Sequence, residues 1–528
     1  MGPSQGGGVS VERSTRNWQC ALVPATISCL SMVSFHILNF GCRASQADGS
    51  ALKHQLLRVG FQEAAGVEES AVAILNTCTV TASADAEVRQ FIRRIHRLNP
   101  HCRILVTGCY AQRAPDELAR MEGVAWVVGN SHKHLVSDIL LGSGDRVIGS
   151  SGKRPGNDLP TSTLPLPPAS ALVQIQAPGS SAPRQIGSDP QAVQSPDPPI
   201  PRSPDSPAPV VLVGEITEDF HFAPVFADDR TRPTLKIQDG CDARCSFCII
   251  PAVRGQSRSL DPEKVLEQLR QLEKAGYQEV VLSGINLGGY GRDLGRRINF
   301  LGMVERILRE TSVARLRISS IEPMDVTPAL IRLVATEPRM AQHFHVPLQS
   351  GCDRILRLMN RRYWTRHYAE RLLAVRERIP NAAVGADVMV GFPGESATDH
   401  AASLRFIDSL PFTYLHIFPF SSRPGTPAAS AAGQVNGRVA RERSLEIRHL
   451  IAAKRQAFLA AQVGRTLPAL TLEESDEGAP LALTTNYLKV TLPGSEIPSN
   501  QLIDASIGRV TDGKLFGYVN PPARPSNT

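Results

Sequence analysis

Apolar residues recur along this chain in two registers. Short runs of four to six predict strands, and longer stretches that return every three or four positions predict amphipathic helices. Near the N-terminus three runs, Phe35-His36-Ile37-Leu38-Asn39-Phe40, Ala71-Val72-Ala73-Ile74-Leu75 and Arg103-Ile104-Leu105-Val106, alternate with helical patterns near 47–59 and 83–98. Strand, helix, strand, helix, strand is the order of an open parallel α/β sheet, here spanning 32–145. Between 231 and 440 six more strand patterns, at 235–237, 279–283, 315–319, 343–346, 384–390 and 413–419, alternate with helical ones near 261–275, 298–310, 327–337, 364–379 and 396–409. That alternation predicts a partial (β/α)6 barrel with its site at the carboxyl ends of the strands. Residues 441–462 read as one connecting amphipathic helix. Short runs bounded by Gly, Pro and Asn in 463–518 predict a small antiparallel β-barrel, followed by a tail at 519–528.

Two stretches carry no such pattern. Residues 146–230, and 152–209 above all, are rich in Pro, Ser, Ala, Gly and Gln. They bury too little apolar surface to offset their conformational entropy and read as a linker. Residues 1–31 hold Arg13 and Arg16 ahead of an apolar stretch interrupted by Pro24, Thr26 and Ser28, and Met32 stands directly before the first strand. We read them as a disordered leader or an over-extended start.

At 528 residues the chain is too long for one core. No run of about 20 apolar residues predicts a membrane span. The net charge of +7, from 57 Lys+Arg against 50 Asp+Glu, permits a polyanionic partner without requiring one. The ten cysteines are too dispersed for a secreted disulfide scaffold and suit a reducing, cytoplasmic location.

The cysteines carry the candidate chemistry. Cys241, Cys245 and Cys248 lie in the spacing C-x3-C-x2-C directly after the strand 235–237. A structural zinc site needs four ligands, and no fourth Cys or His is near. Three thiolates suffice for a 4Fe-4S cluster with one iron left open to a non-protein ligand. A zinc site with a remote fourth ligand, or three half-buried thiols, are the alternatives. In the N-terminal segment Cys42, Cys78 and Cys109 each end one of the three strand runs. Cysteines at the carboxyl ends of parallel strands converge in space, which suggests a second cluster of the same kind; coincidental core cysteines are the alternative. The helix near 83–98 carries Arg89, Arg93, Arg94 and Arg97, facing either RNA phosphates or solvent. His343 and His345 read as structural, on opposite sides of their strand.

The string Leu235-Lys236-Ile237-Gln238-Asp239-Gly240-Cys241 through Cys248-Ile249-Ile250-Pro251, with Arg254-Gly255 and Ser257-Arg258-Ser259, resembles the radical S-adenosylmethionine (SAM) methylthiotransferases. Gly41-Cys42, Asn76-Thr77-Cys78-Thr79-Val80 and Gly108-Cys109-Tyr110-Ala111-Gln112 are similar to that family's N-terminal cysteine motifs. Where the family usually has Asn three residues after the first cysteine, this chain has Ser45, with Gln46 and Asp48 in their expected places.

The resemblance implies two 4Fe-4S clusters, a SAM-cleaving one at Cys241, Cys245 and Cys248 and an auxiliary one at Cys42, Cys78 and Cys109. It implies SAM contacts from Gly284 at the amino end, Ser319 and Glu322 around the ribose or methionine carboxylate, and Asp387 and Gly391 near the adenine. Asn360-Arg361-Arg362-Tyr363 extends the match, with two arginines suited to a phosphate backbone. The C-terminal barrel, through Asn486-Tyr487-Leu488-Lys489-Val490, resembles a tRNA-gripping TRAM domain.

Within the family the motifs look most like the branch that converts N6-threonylcarbamoyladenosine at position 37, beside the tRNA anticodon, to its 2-methylthio derivative. Branches acting on N6-isopentenyladenosine of tRNA or on an aspartate of a ribosomal protein are the runners-up, and an iron–sulfur RNA-binding protein is the non-enzyme alternative. The implied partners are tRNA and an electron donor such as flavodoxin or ferredoxin, for a monomer that does not enter membranes.

Overall fold

The computed structural model describes residues 33–142, 208–216, 231–295 and 298–519. The leader at 1–31, most of the linker and the tail from 520 lie outside the described residues.

The N-terminal unit is a wholly parallel sheet of β1 (Ser34–Asn39), β2 (Gln62–Glu63), β3 (Val72–Thr77), β4 (Arg103–Gly108), β5 (Val124–Gly129) and β6 (Val210–Leu212), in the order β2-β1-β3-β4-β5-β6. Helices α1 (Arg43–Arg58), α2 (Ala82–Leu98), α3 (Cys109–Arg113), α4 (Pro115–Ala119) and α5 (Val136–Leu141) accompany it. Every residue of β3 is buried, as expected of a central strand covered on both faces. Thr81 caps α2 by accepting from the Ala84 N–H at 3.2 Å. The strand order turns back between β1 and β3, and the crevice beyond such a reversal is where open α/β sheets gather ligands. Two features depart from the sequence reading. Helix α1 begins at Arg43, with Cys42 itself at the N-cap. Val210–Leu212, inside the expected linker, instead pairs with Trp126, Val127 and Val128 as the sixth strand.

The central unit is the expected half-barrel. Strands β7 (Thr234–Asp239), β8 (Arg258–Ser259), β9 (Glu279–Gly284) and β10 (Arg315–Ile318) form one sheet, and β11 (His343–His345), β12 (Ala383–Val390) and β13 (Tyr414–Pro419) the next. Backbone bonds from Leu316 N–H to Arg339 O at 2.7 Å and from Ile321 N–H to His345 O at 3.0 Å join the two. Among the described residues no ladder closes β13 onto β7, so the barrel is open on that side. Helices α6 (Ile250–Arg254), α7 (Pro262–Lys274), α8 (Phe300–Glu310), α9 (Pro328–Thr336), α10 (Asp353–Leu358), α11 (Thr365–Arg378) and α12 (Ala397–Ser409) intervene, and α13 (Gly437–Ala460) packs behind β13. Asp261, Asn299, Thr327 and Ser396 cap four of them. Arg443 of α13 pairs with buried Glu395 at 2.6 Å.

Leu235, Ile237, Val280, Leu282, Leu316, Phe344, Val384, Ala386 and Val388 face the helices and form the main core. The alternate positions turn inward, and most are polar: Lys236, Gln238, Glu279, Ser283, Arg315, Arg317, His343, His345, Asp387 and Tyr414, with Val281, Gly385 and Met389 among them. His343 and His345, two apart, therefore share the inner face and both reach Tyr414, which corrects the expectation that they face apart.

The C-terminal unit is a closed barrel of β14 (Thr466–Asp476), β15 (Ala479–Thr484), β16 (Lys489–Thr491), β17 (Leu502–Thr511) and β18 (Lys514–Val519). The turn after β15 plugs the amino end of the half-barrel. Tyr487, at φ +64°, stacks on His343 with 4.3 Å between ring centroids and accepts a hydrogen bond from Arg43 of α1 at 3.0 Å. Arg317, fully buried, donates to the Thr484 and Thr485 carbonyls at 3.2 and 3.1 Å and to Glu279 at 2.7 Å. Arg315 and Arg232 lie within 3.5 Å of the same carboxylate. Burial alone would raise the Glu279 carboxyl; the three arginines outweigh it and bring it down to about 2.

Glu279→Ala leaves those arginines buried without their counter-charge. We expect it to lower stability by about 3–5 kcal/mol, read as the urea midpoint of the iron-free chain. An unchanged midpoint would mean that water compensates the arginines.

Candidate functional site

Cys78 and Cys109 follow β3 and β4 directly and Cys42 follows β1 after Phe40 and Gly41, so the three strand ends carry them to one crevice. Two glycines make the approach possible. Gly41 has φ +101°, and a Cβ there would stand 2.3 Å from the Cβ of Cys78; Gly108 has φ +99°, and its Cβ would stand 2.4 Å from the Thr77 carbonyl oxygen. Ser45, in the place of the family's Asn, sits with its hydroxyl 3.7 Å from the Cys42 sulfur. Asn130 donates to the Cys109 sulfur at 3.5 Å and to the Val253 carbonyl at 2.8 Å. Burial, with Cys109 and Cys42 beside it, pushes the Cys78 thiol up to about 12.

The second set lies on the loop after β7. Gly240, at φ +72°, turns the chain where a Cβ would meet the Gln256 carbonyl oxygen at 1.8 Å. The Ala243 N–H donates to the Cys241 sulfur at 3.4 Å, and Arg361 reaches the Cys245 sulfur at 3.3 Å and also pairs with Glu322. Gln238 fixes the loop from below, donating to the Gly240 carbonyl at 2.8 Å and accepting from the Asn286 N–H at 2.6 Å. Burial pushes the Cys248 thiol up to about 12. Asn286 Oδ1 and Gln349 Oε1 are buried with no hydrogen-bond partner, and Gln349 is held at φ +62°. Orphaned acceptors and a strained residue at strand ends mark a place built for a ligand.

All six cysteines are free thiols. Among the described residues neither triad brings its sulfurs within 4.8 Å of one another as a set. A tetrahedral zinc with bonds of about 2.3 Å would draw them to about 3.8 Å apart. Three soft sulfurs set wider than that fit a multi-iron cluster with one iron left open.

A buried charge cluster ties the two triads together. Asp48 of α1 pairs with Lys236 of β7, with Arg254 at 3.0 Å and with Lys133 at 3.1 Å. Asp239 accepts from Arg254 at 3.0 Å and from Lys236 at 2.6 Å, and Arg254 also reaches Ser45 at 3.4 Å. Burial would raise the Asp48 carboxyl, but Lys133, Lys236 and Arg254 together hold it well below the usual carboxylate range. Three cations against two carboxylates leave this cluster one charge positive, and Arg254 feels Cys109 and Cys42 directly. A second junction joins α2 to the segment after β13: Asp85 pairs with Arg423 and, at 2.9 Å, with Arg113.

The residues expected to meet SAM divide. Gly284 ends β9 against Gln238 and Glu322 is paired with Arg361, so these two stand beside the Cys241 loop; Ser319 follows β10, its N–H on the Leu282 carbonyl. Burial raises the Glu322 carboxyl above its ordinary value. Asp387 sits on the inner face, 3.1 Å from His416 and 3.2 Å from His345. Gly391 has a packing reason of its own: at φ +71° its Cβ would stand 2.7 Å from Ala440 of α13, and its N–H donates to Glu395 at 2.6 Å. Arg361 is corrected outright. Asn360, at φ +57°, turns it inward to Cys245 and Glu322, so only Arg362 of that pair is exposed to meet a phosphate. Arg89 is likewise engaged, donating to Tyr110 at 2.7 Å and Glu117 at 3.0 Å. Cys102 and Cys352 lie apart, beside Ser70 and Asp399.

Sequence reading missed the Asp48 cluster, His416 and Tyr414. Lys236, Asp239 and Arg254 stand within the string that carries the resemblance, but nothing in their spacing shows that they meet Asp48.

Residues 34–129 match the Uncharacterized protein family UPF0004 and residues 235–407 the Radical SAM superfamily. The chain is 33% identical over 465 residues to the threonylcarbamoyladenosine tRNA methylthiotransferase MtaB of Aquifex aeolicus, covering 88% of this chain and 97% of the relative. It is 33% identical over 486 residues to the MtaB of Bacillus subtilis, covering 90% and 94%. To the tRNA-2-methylthio-N(6)-dimethylallyladenosine synthase of Natranaerobius thermophilus it is 28% identical over 493 residues, covering 92% and 96%.

Asp48→Asn keeps the shape of the junction and removes one of its two carboxylates. We expect about 3–5 kcal/mol lower stability at neutral pH, measured as a urea midpoint. Because the folded-state carboxyl is depressed, its contribution is present above the ordinary value of 3.8 and is lost as pH falls below it. The variant and the parent should therefore converge on acidification.

Proposed function

The chain belongs to the radical SAM tRNA methylthiotransferases, and from that premise we propose that it converts N6-threonylcarbamoyladenosine at position 37 of tRNA to the 2-methylthio derivative. The observation that carries the proposal is the pair of thiol triads, in separate units, joined through one buried ion cluster. MtaB relatives at 30–33% identity over most of the chain support this nucleoside, with dimethylallyladenosine synthases beside them at 28–32%. The polar inner face of the half-barrel supports it as well, since an isoprenoid arm would strip water from those groups and give nothing in return.

A 4Fe-4S cluster and SAM belong to the radical SAM chemistry of the family. Cys241, Cys245 and Cys248 would hold the cluster that cleaves SAM. Cys42, Cys78 and Cys109 would hold a second, auxiliary one. When bound, these groups supply a 5′-deoxyadenosyl radical and a sulfur donor. The rest of the task falls to side chains. Arg361 donates to Cys245 and keeps Glu322 beside the cysteine loop. Asn286, whose backbone Gln238 fixes, leaves a carbonyl oxygen free to accept from the amino group of SAM, with Gly284 leaving room and Ser319 next to it. Arg254 and Asn130 place positive charge and an N–H next to Cys109. Substrate tRNA would lie across the cleft between the N-terminal sheet and the half-barrel, with the C-terminal barrel as a TRAM-type grip. We further propose a flavodoxin or ferredoxin as electron donor and a monomer working in the cytoplasm. Among the described residues no helix is long and apolar enough to cross a membrane.

Anaerobic reconstitution should give about eight irons per chain, four for each cluster. With SAM, reductant and threonylcarbamoylated tRNA, nucleoside mass spectrometry should then show the 2-methylthio product. Cys241→Ala should abolish both 5′-deoxyadenosine and product. Cys42→Ala should keep SAM cleavage and lose the product. Gly41→Ala, which drives a Cβ into Cys78, should bring iron down to about four per chain and match Cys42→Ala. Product on isopentenylated tRNA alone would sink the nucleoside assignment.

A further inference from the structure

The inner wall of the half-barrel carries a set of polar rings that cluster and SAM chemistry leaves unused. Tyr414 of β13 lies with its hydroxyl 2.7 Å from His343 Nε2 and 3.1 Å from His345 Nδ1. His345 Nε2 and His416 Nδ1 converge on Oδ1 of Asp387 at 3.2 and 3.1 Å. The arrangement is built. Tyr414 crosses β12 at Gly385, where any Cβ would stand 1.9 Å from the ring. Ring centroids of His345, Tyr414 and His416 lie 5.1–5.8 Å apart.

Exposure rises steadily along this line. His343 and His345 are buried, Asp387 is half-buried, and the His416 side chain is 64% exposed, on the edge strand that borders the open side of the barrel. With Nδ1 turned to Asp387, His416 presents Nε2 outward, without a protein partner. Asp387 stays ionised because hydrogen bonds from His345 and His416 outweigh its burial. The line opens toward the reacting centre: Asp387 acts electrostatically on Glu322, which Arg361 ties to Cys245.

We propose that His345, Asp387, Tyr414 and His416 form the subsite for the N6 arm of the target nucleoside, with His416 in its imidazolium form giving Nδ1–H to Asp387 and Nε2–H to the carboxylate of a hydroxy-acid arm. The proposal rests on the threonylcarbamoyladenosine reading. An arm bearing a urea, a hydroxyl and a carboxylate satisfies this wall, whereas an apolar arm leaves its donors desolvated and unpaired. The same three ligand atoms of His345, Asp387 and His416 lie within 4.8 Å of one another, so a divalent ion is the competing occupant. Hydrogen bonding disfavours it, because both rings address one oxygen and the second nitrogen of His345 is taken by Tyr414.

The test uses reconstituted full-length enzyme and anticodon stem-loop RNAs whose position-37 adenosine carries the threonylcarbamoyl arm, the same arm with its carboxylate converted to the primary amide, or an isopentenyl arm. Wild type should prefer the acid to the amide, and His416→Gln should lower kcat/KM on the acid roughly 10–100-fold, the range of a lost charge-assisted hydrogen bond, mainly through KM. The amide should change less than about 3-fold, as for a site that never made that bond. His416→Lys should restore part of the preference for the acid. Equal losses on acid and amide would overturn the subsite while leaving the nucleoside assignment intact. Wild type inactive on the acid but active on the isopentenyl RNA would overturn the assignment itself. One zinc or manganese per chain in wild type, absent from His416→Gln by elemental analysis, would overturn the subsite in favour of a metal site.

Discussion

The fold depends on a single buried constraint, the packing of Asp48 among Lys133, Lys236 and Arg254 with Asp239 behind them. No covalent link fixes the N-terminal sheet to the half-barrel near the thiols. This junction, the Asp85–Arg423–Arg113 one, the Asn130–Val253 hydrogen bond and the apolar packing of Cys109 on Ile249 and Val253 together set how the two crevices face each other. Buried ion pairs contribute little net stability, because desolvating each charge costs about what the pairing returns. What they add here is intolerance of misplacement. An apolar junction tolerates a slide of an ångström or two, whereas charges paired near 3 Å do not. For chemistry passed between two separately held centres, placement is the quantity that matters.

The half-barrel inverts the usual rule for strands. Its apolar residues face outward to the helices and its polar ones inward, so the inner face is a chamber and not a core. Such a chamber needs closing at both ends without apolar filler. At the amino end the C-terminal barrel does this with Tyr487 stacked on His343 and with backbone carbonyls from Thr484 and Thr485 that receive Arg317. Arg43, next in sequence to Cys42, reaches the same tyrosine. One ring thus connects all three units, and a displacement of the C-terminal barrel would be felt beside the first thiol.

Much of this was legible in the sequence, for reasons that can be named. Parallel strands buried on both faces read as short apolar runs, so β1, β3, β4 and the six barrel strands stand out. Cysteines placed at their carboxyl ends converge by topology alone. What stayed illegible depends on contacts between distant segments. Val210–Leu212 looks like the edge of a Pro-rich stretch, and only its pairing with Trp126–Val128 makes it a strand. Lys236 reads as a solvent-facing polar residue in an alternating strand, because the pattern shows alternation but not which side is inside. Arg361 looks like a phosphate ligand until the positive φ at Asn360 turns it toward Cys245. His343 and His345 obey period two, and reading them as facing apart overlooked it.

The same inversion changes how net charge should be read. Among the described residues the buried charges balance, six cations, Lys236, Arg254, Arg315, Arg317, Arg423 and Arg443, against six carboxylates, Asp48, Asp85, Asp239, Glu279, Glu395 and Asp399. That set therefore contributes nothing to the formal +7 of the chain. The excess is therefore carried by residues outside the buried interior. A general attraction for polyanions follows surface charge and falls steeply with salt; interior charge acts only on what enters. The mild basicity of this chain is thus placed to meet RNA phosphates in general, while discrimination of the target nucleoside falls to shape and to the few groups, such as His416, that border the inner wall.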